Sequence, residues 1–177
     1  MKKIAVTICI FILFLILYFL QANFFTWFNI AGVKPNLFIL LALTLGLFVG
    51  RGYATAMGCI MGLLLDIFIG RTLGVYSIML GFMGYIGGQL EKKFSKDSKI
   101  TIILMIGICT FLYEIGIYII NAAVLGIDLE IFAFLKINCI EIFYNIILTI
   151  ILYPLIKRGG YYIQDIFRGN KILTRYF

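Results

Sequence analysis

The fifteen Lys and Arg residues fall very unequally around a set of long apolar runs, and that pattern limits what the chain can fold into. Six runs stand out, at 4–20, 35–50, 54–69, 75–90, 100–120 and 137–156. Threaded through a membrane from a cytoplasmic N-terminus, the chain places Lys2, Lys3, Arg51, Lys92, Lys93, Lys96, Lys99, Lys157, Arg158, Arg168, Lys171 and Arg175 on one side. The other side receives Lys34, Arg71 and Lys136. Cytoplasmic loops of membrane proteins carry the excess of Lys and Arg, so a division of twelve against three sets orientation as well as membrane residence. The expected architecture is an all-α integral membrane protein of six transmembrane helices, one polytopic domain over 1–177, with both ends in the cytoplasm.

A hydrophobic share of 63% and a mean hydropathy of +1.10 fit that reading. Each crossing needs ~20 residues, so six of them with short loops use up the chain and leave no room for a soluble domain. The net charge of +7 sits at helix ends on one face, where anionic lipid accounts for it, and nucleic acid is set aside as a partner. The chain has no histidine, which removes the commonest general base and metal ligand. Cys9, Cys59, Cys109 and Cys139 lie one per span without a CxxC pair and read as small apolar residues. No nucleophile–base pair or phosphate-cradling loop can be assembled, and no enzyme, metal or cofactor is expected.

The first run resembles a secretory signal behind Lys2 and Lys3, but its length and the lack of a small-x-small site favour an uncleaved anchor. Phe24, Phe25, Trp27 and Phe28 then form an aromatic belt. Pro35-Asn36 opens the second span, whose run 37–49 is short for a full crossing, so this helix is upright in a thinned region or buried among its neighbours. The mostly apolar stretch 121–136 is expected to lie along the interface. The segment 157–177 alternates basic and apolar residues and suits an amphipathic tail on the inner leaflet.

Glycines recur at four-residue spacing: Gly46 and Gly50 in span two, Gly58 and Gly62 in span three, Gly84 and Gly88 in span four. In lipid no hydrophobic force joins helices, and close backbone approach through small residues does much of that work. These stripes predict a tight three-helix unit; packing within the chain and docking of a partner helix both use such faces.

Asp66, Glu114 and Glu141 are the acidic residues inside spans. Thr110, Glu114 and Asn121 share one face of span five; Asn138, Glu141, Asn145 and Thr149 share one face of span six, with Tyr153 below. At 1.5 Å per residue Glu114 lies about 21 Å from the inner end of its span, in the outer half. Such faces turn inward or towards a partner. One reading is a polar pocket or ion path open to the outer leaflet. The other puts Asp66 and Glu141 among headgroups near Arg71 and Lys136, with Glu114 hydrogen-bonded to the neighbouring stripes. Two carboxylates and several amides without histidine suit interhelical hydrogen bonds.

The segment Lys34-Pro35-Asn36-Leu37, then a Gly-rich span, then Gly62-Leu63-Leu64-Leu65-Asp66 and Leu73-Gly74, resembles the MreD family of rod shape-determining membrane proteins over nearly the whole chain. The residues that carry the likeness are Pro35, Asn36, Gly62, Asp66 and Gly74. The resemblance implies a non-enzymatic scaffold of the cell-elongation machinery. It implies an MreC-like bitopic partner and a wider assembly of MreB, RodA and a class B penicillin-binding protein that organises peptidoglycan synthesis; a second copy of the chain is a further candidate partner. The family is similar in helix count to the substrate-binding subunits of energy-coupling-factor transporters, so the alternative is a vitamin-type transporter subunit. Span one has only Ala5 and Ala22 where those subunits carry an AxxxA docking pattern.

Overall fold

The computed structural model describes residues 1–69, 72–91, 98–126 and 130–168. Arg71, Lys92, Lys93, Lys96, Asp128, Lys171 and Arg175 lie outside the described residues, as does the final stretch of the expected tail. The described residues form α1 (Lys2–Ala22), α2 (Phe24–Trp27), α3 (Leu37–Val49), α4 (Arg51–Ile69), α5 (Val75–Leu90), α6 (Lys99–Leu125) and α7 (Ile131–Arg168). Among the described residues four stretches are long and apolar enough to span a membrane: Lys2–Trp27, Arg51–Ile69, Lys99–Leu125 and Ile131–Arg168. The 13-residue α3 is ~20 Å long and the 16-residue α5 ~24 Å, both below the ~30 Å of a hydrocarbon core.

The shortness of α3 follows from its place. Every residue of it but Thr44 is buried, and Thr44 turns its hydroxyl back onto the Leu40 carbonyl at 2.7 Å. A helix that is apolar all round belongs inside, and α3 is the axis on which α4, α5, α6 and α7 pack. Of the two readings that the sequence leaves open for this span, burial among its neighbours is the one observed.

Contact is most extensive between α4 and α5, then between α3 and α5. Glycine makes both possible. A Cβ on Gly46 would stand 2.6 Å from the Gly84 carbonyl oxygen and 2.7 Å from the Gly88 nitrogen. On α4, a Cβ at Gly58 would run into the Leu80 carbonyl, and one at Gly62 into the backbone of Tyr76 and Ser77. Gly84 and Gly88 lie against the backbone of Ala54 and Arg51 in the same way. Gly50 differs from the other stripe glycines. It is the single residue between α3 and α4, at φ 117, and ends α3 where a side chain would be strained. A Cβ there would also strike the Arg168 guanidinium, so Gly50 makes a corner and not a helix face.

Arg168 ties the ends of three helices at that corner. Its Nε donates to the Val49 carbonyl at 2.8 Å, satisfying a C-terminal carbonyl of α3, and its guanidinium grips both carboxylate oxygens of Glu91 just beyond α5.

Of the stretch 121–136 expected along the interface, residues 121–125 belong to α6 and 131–136 to α7. Nothing breaks the helix after Asn121 until Gly126, which ends α6 in the left-handed conformation with its N–H on the Ala122 carbonyl at 3.0 Å. At the other end α7 runs through Pro154 to Arg168, so the described part of the expected tail continues span six without a break. Pro154 removes one helical hydrogen bond, but packing carries α7 on: Gly160 sits against the Phe48 ring, and Tyr161 meets the same ring edge-on at 5.2 Å.

α1 is the least attached long helix. It buries Val6, Ile10 and Phe14, one narrow stripe, and leaves Ile4, Ile8, Ile12, Ile16 and Phe19 exposed.

Replacing Gly62 with Leu should force α4 and α5 apart and destabilise the protein by at least the ~1–3 kcal/mol of ordinary overpacking. A Cβ at Gly159 meets nothing within 4 Å, so Gly159→Ala should melt with the wild type. Thermal unfolding of the purified variants checks both.

Candidate functional site

The resemblance residues gather at two places, both away from the Arg168 end. Gly62, Asp66 and Gly74 build one junction between the end of α4 and the start of α5. Gly62 lets the α5 backbone approach. Gly74 turns the chain at φ 96 but offers no side chain to cap the helix it precedes. Asp66, one turn beyond Gly62, supplies the cap from the neighbouring helix: its Oδ1 accepts from the Tyr76 N–H at 2.9 Å and its Oδ2 from the Ser77 N–H at 3.1 Å. Those are second and third residues of α5, the N–H groups a helix leaves unpaired. The negative charge also meets the positive end of the helix dipole. Ser77 completes the contact by donating its hydroxyl to the Cys59 carbonyl at 2.9 Å. Asp66 is 1% exposed, so it does not reach out to headgroups; its partners are backbone amides.

Pro35 and Asn36 sit at the other place. The helix begins at Leu37, Asn36 is its cap with Oδ1 3.4 Å from the Ile39 N–H, and Pro35 precedes the cap. The Asn36 N–H donates to Asn145 Oδ1 of α7 at 2.8 Å, and Asn145 Nδ2 donates to Thr110 Oγ1 of α6 at 3.1 Å. One buried amide thus joins three helices. Thr149 closes that stripe onto its own helix, donating to the Asn145 carbonyl at 2.6 Å.

One turn further from the Arg168 end the polar faces of α6 and α7 do something else. The side chains of Glu114 on α6 and Glu141 on α7 line the same two cavities, with Asn36 beside them in one. Two cavities meet at this pair. The inner one, of about 180 Å³, is also lined by Gln21, Lys34, Asn36, Tyr76 and Tyr113. The outer one, of about 450 Å³, is also lined by Tyr118, Glu130, Phe134 and Asn138. Tyr118 and Phe134 stack at 4.3 Å between ring centres to form an aromatic wall.

The walls carry polar groups with nothing to bond. Gln21 Oε1, the Tyr113 and Tyr118 hydroxyls and both amide atoms of Asn138 are buried without a hydrogen-bond partner. Tyr113 approaches the Asn36 side chain without completing a hydrogen bond. Asn138 is 2% exposed and Tyr113 1%. Buried polar groups are ordinarily paired, because leaving one unpaired costs on the order of 1–3 kcal/mol.

Of the interhelical hydrogen bonds expected along the stripes, the one seen between α6 and α7 among the described residues joins Asn145 to Thr110. Thr110 and Asn145 join helices and Thr149 bonds back to its own; Glu114, Asn138 and Glu141 line cavities. Asn121 lies further out, 3.4 Å from the Thr72 hydroxyl. Sequence reasoning missed Gln21, Tyr113 and Tyr118. Gln21 could have been flagged as the polar residue closing an otherwise apolar run; the tyrosines have no signal beyond their closeness to Glu114 in sequence.

Asp66→Ala should lower stability by about 0.5–2 kcal/mol, the usual range for a lost helix cap. Asp66→Asn keeps one acceptor oxygen and should fall between alanine and wild type. Chemical or thermal unfolding in detergent ranks the three.

No curated protein and no solved structure matched the chain. A family model did, that of the rod shape-determining protein MreD, over residues 1–158, from the first helix to just past Pro154 in α7. With four helices long and apolar enough to cross a bilayer, the chain is a multi-pass membrane protein that belongs to the MreD family.

Proposed function

We propose that this protein is a non-enzymatic membrane scaffold of the rod-shape machinery, in which α3–α5 form a rigid core and the more exposed helices hold partner segments. The family match over 1–158 carries this reading. The partner it points to is an MreC-like bitopic protein, within an assembly that includes MreB, RodA and a class B penicillin-binding protein and organises peptidoglycan synthesis. What supports a binding role for the exposed helices is their apolar surface, as at Ile4, Ile8 and Ile12 of α1 and at Ile100, Leu104 and Ile108 of α6. In this reading all six long or medium helices cross, α3 and α5 being sheltered by their neighbours, and both ends are cytoplasmic; the division of basic residues supports that orientation.

The functional test is depletion. Loss of the protein should round rod-shaped cells, and the purified protein should bring down an MreC-like partner; cells that keep their width and shape on full depletion would contradict the scaffold. The second reading, a solute-binding transporter subunit, is favoured by the cavities at Glu114 and Glu141. Depletion that blocks vitamin uptake while cell shape persists would establish it instead.

Orientation has its own check. In a background without the native cysteines, Asn29→Cys should react with a membrane-impermeant maleimide in intact cells, and Asp165→Cys only after lysis. Labelling of Asp165→Cys from outside would reverse the topology.

A further inference from the structure

The two cavities at Glu114 and Glu141 pose a problem of charge and of hydrogen bonds together. Two carboxyl groups lining one cavity cannot both ionise without a countercharge beside them. The cavity walls add Glu130 and Lys34, so acids outnumber bases among the lining residues. Lys34 keeps its charge, but its ammonium is turned to the Thr26 hydroxyl at 2.7 Å, and among the described residues no ion pair joins it to Glu114 or Glu141. A shared proton would neutralise the Glu pair but would do nothing for Asn138, Tyr113, Tyr118 and Gln21. Water would serve those groups but bring no charge. A small molecule with a cationic amine at one end and hydrogen-bonding oxygens at the other does both.

From this we infer that the cavities form a binding site for a primary ammonium group, seated against Glu114 and Glu141 from the cavity side, with the oxygen-bearing part of its carrier against Asn138 and Tyr118. The fit is chemical at each point. Carboxylates are the strong acceptors for an ammonium's three donors. The Asn138 amide offers a donor and an acceptor side by side, both unused. The Tyr118–Phe134 stack gives an apolar wall beside the carrier. Such an ammonium has two sources: the headgroup of phosphatidylethanolamine, entering sideways from the bilayer, or a free soluble amine. The site stands on its own lining and does not require the scaffold reading; binding is read on the purified chain, whereas that reading is read in cells.

The test uses the full chain in detergent and in nanodiscs. Native mass spectrometry compares retention of phosphatidylethanolamine with that of phosphatidylglycerol, and thermal unfolding is followed against added ethanolamine. If the source is lipid, wild type retains phosphatidylethanolamine in clear excess, and Glu114→Gln and Glu141→Gln each cut that excess about tenfold or more, as loss of a buried charge partner does. If the source is a free amine, ethanolamine raises the melting temperature of wild type saturably and leaves both Gln variants unmoved. Asn138→Leu separates binding from folding: removing an unpartnered amide should keep or raise the melting temperature while weakening the amine. Asp165→Asn, which removes an exposed charge far from the cavities, should bind as wild type does. Equal retention of both lipids together with no response to ethanolamine would overturn the inference and leave a shared proton as the countercharge. An equal loss in Asp165→Asn would overturn it too, showing a bulk charge effect.

Discussion

Lipid gives helices no hydrophobic reason to associate, so this fold depends on backbone-to-backbone approach between α4 and α5. Gly58 and Gly62 on one helix and Gly84 and Gly88 on the other remove the side chains that would hold the helices apart. Dispersion then acts over the whole length of contact, and Asp66 can reach the amide groups at the head of α5. The α3 helix docks against the same glycine face of α5 through Gly46, and its complete burial makes it the axis of the bundle. A carboxylate that looks costly inside a membrane is here the acceptor for two amides that would otherwise be unpaired.

The second pair, α6 and α7, is joined by other means. Its faces carry more polar side chains and make fewer close glycine approaches; a Cβ at Gly107 would make only ordinary contact with Ile146 and Ile142. The Asn36–Asn145–Thr110 chain fastens the pair to α3 midway along. Beyond that fastening the helices leave room, and the room is polar. Rigid core, polar fastening and cavities therefore follow one another along the bundle.

Much of this was legible in the sequence. Helix positions followed from apolar runs, and the glycine spacing pointed to α3, α4 and α5. What the sequence hid was partnership. Asp66 reads as an acid near a span end with Arg71 close by; nothing local says that its oxygens meet Tyr76 and Ser77 across a turn. Gly50 fits the four-residue spacing of a helix face, yet it is the corner residue, because only the fold shows α3 stopping there. In the stretch 121–136 the mixture of residues speaks for the interface, while the signal that α6 continues to Leu125 is the absence of a breaker before Gly126. Glu114 and Glu141 could be placed at similar depth, but their lining the same cavities depends on the rotation of α6 and α7, which polar periodicity leaves loose.

The Asp66 junction holds the α4–α5 core together, and amide hydrogen exchange in nanodiscs puts that dependence to the test. In wild type the amides of Tyr76 and Ser77 should be protected to the same degree as those midway along α4. In Asp66→Ala, protection at the start of α5 should fall while α6 and α7 keep theirs. Unchanged protection at Tyr76 and Ser77 in that variant would show that the core does not depend on this carboxylate.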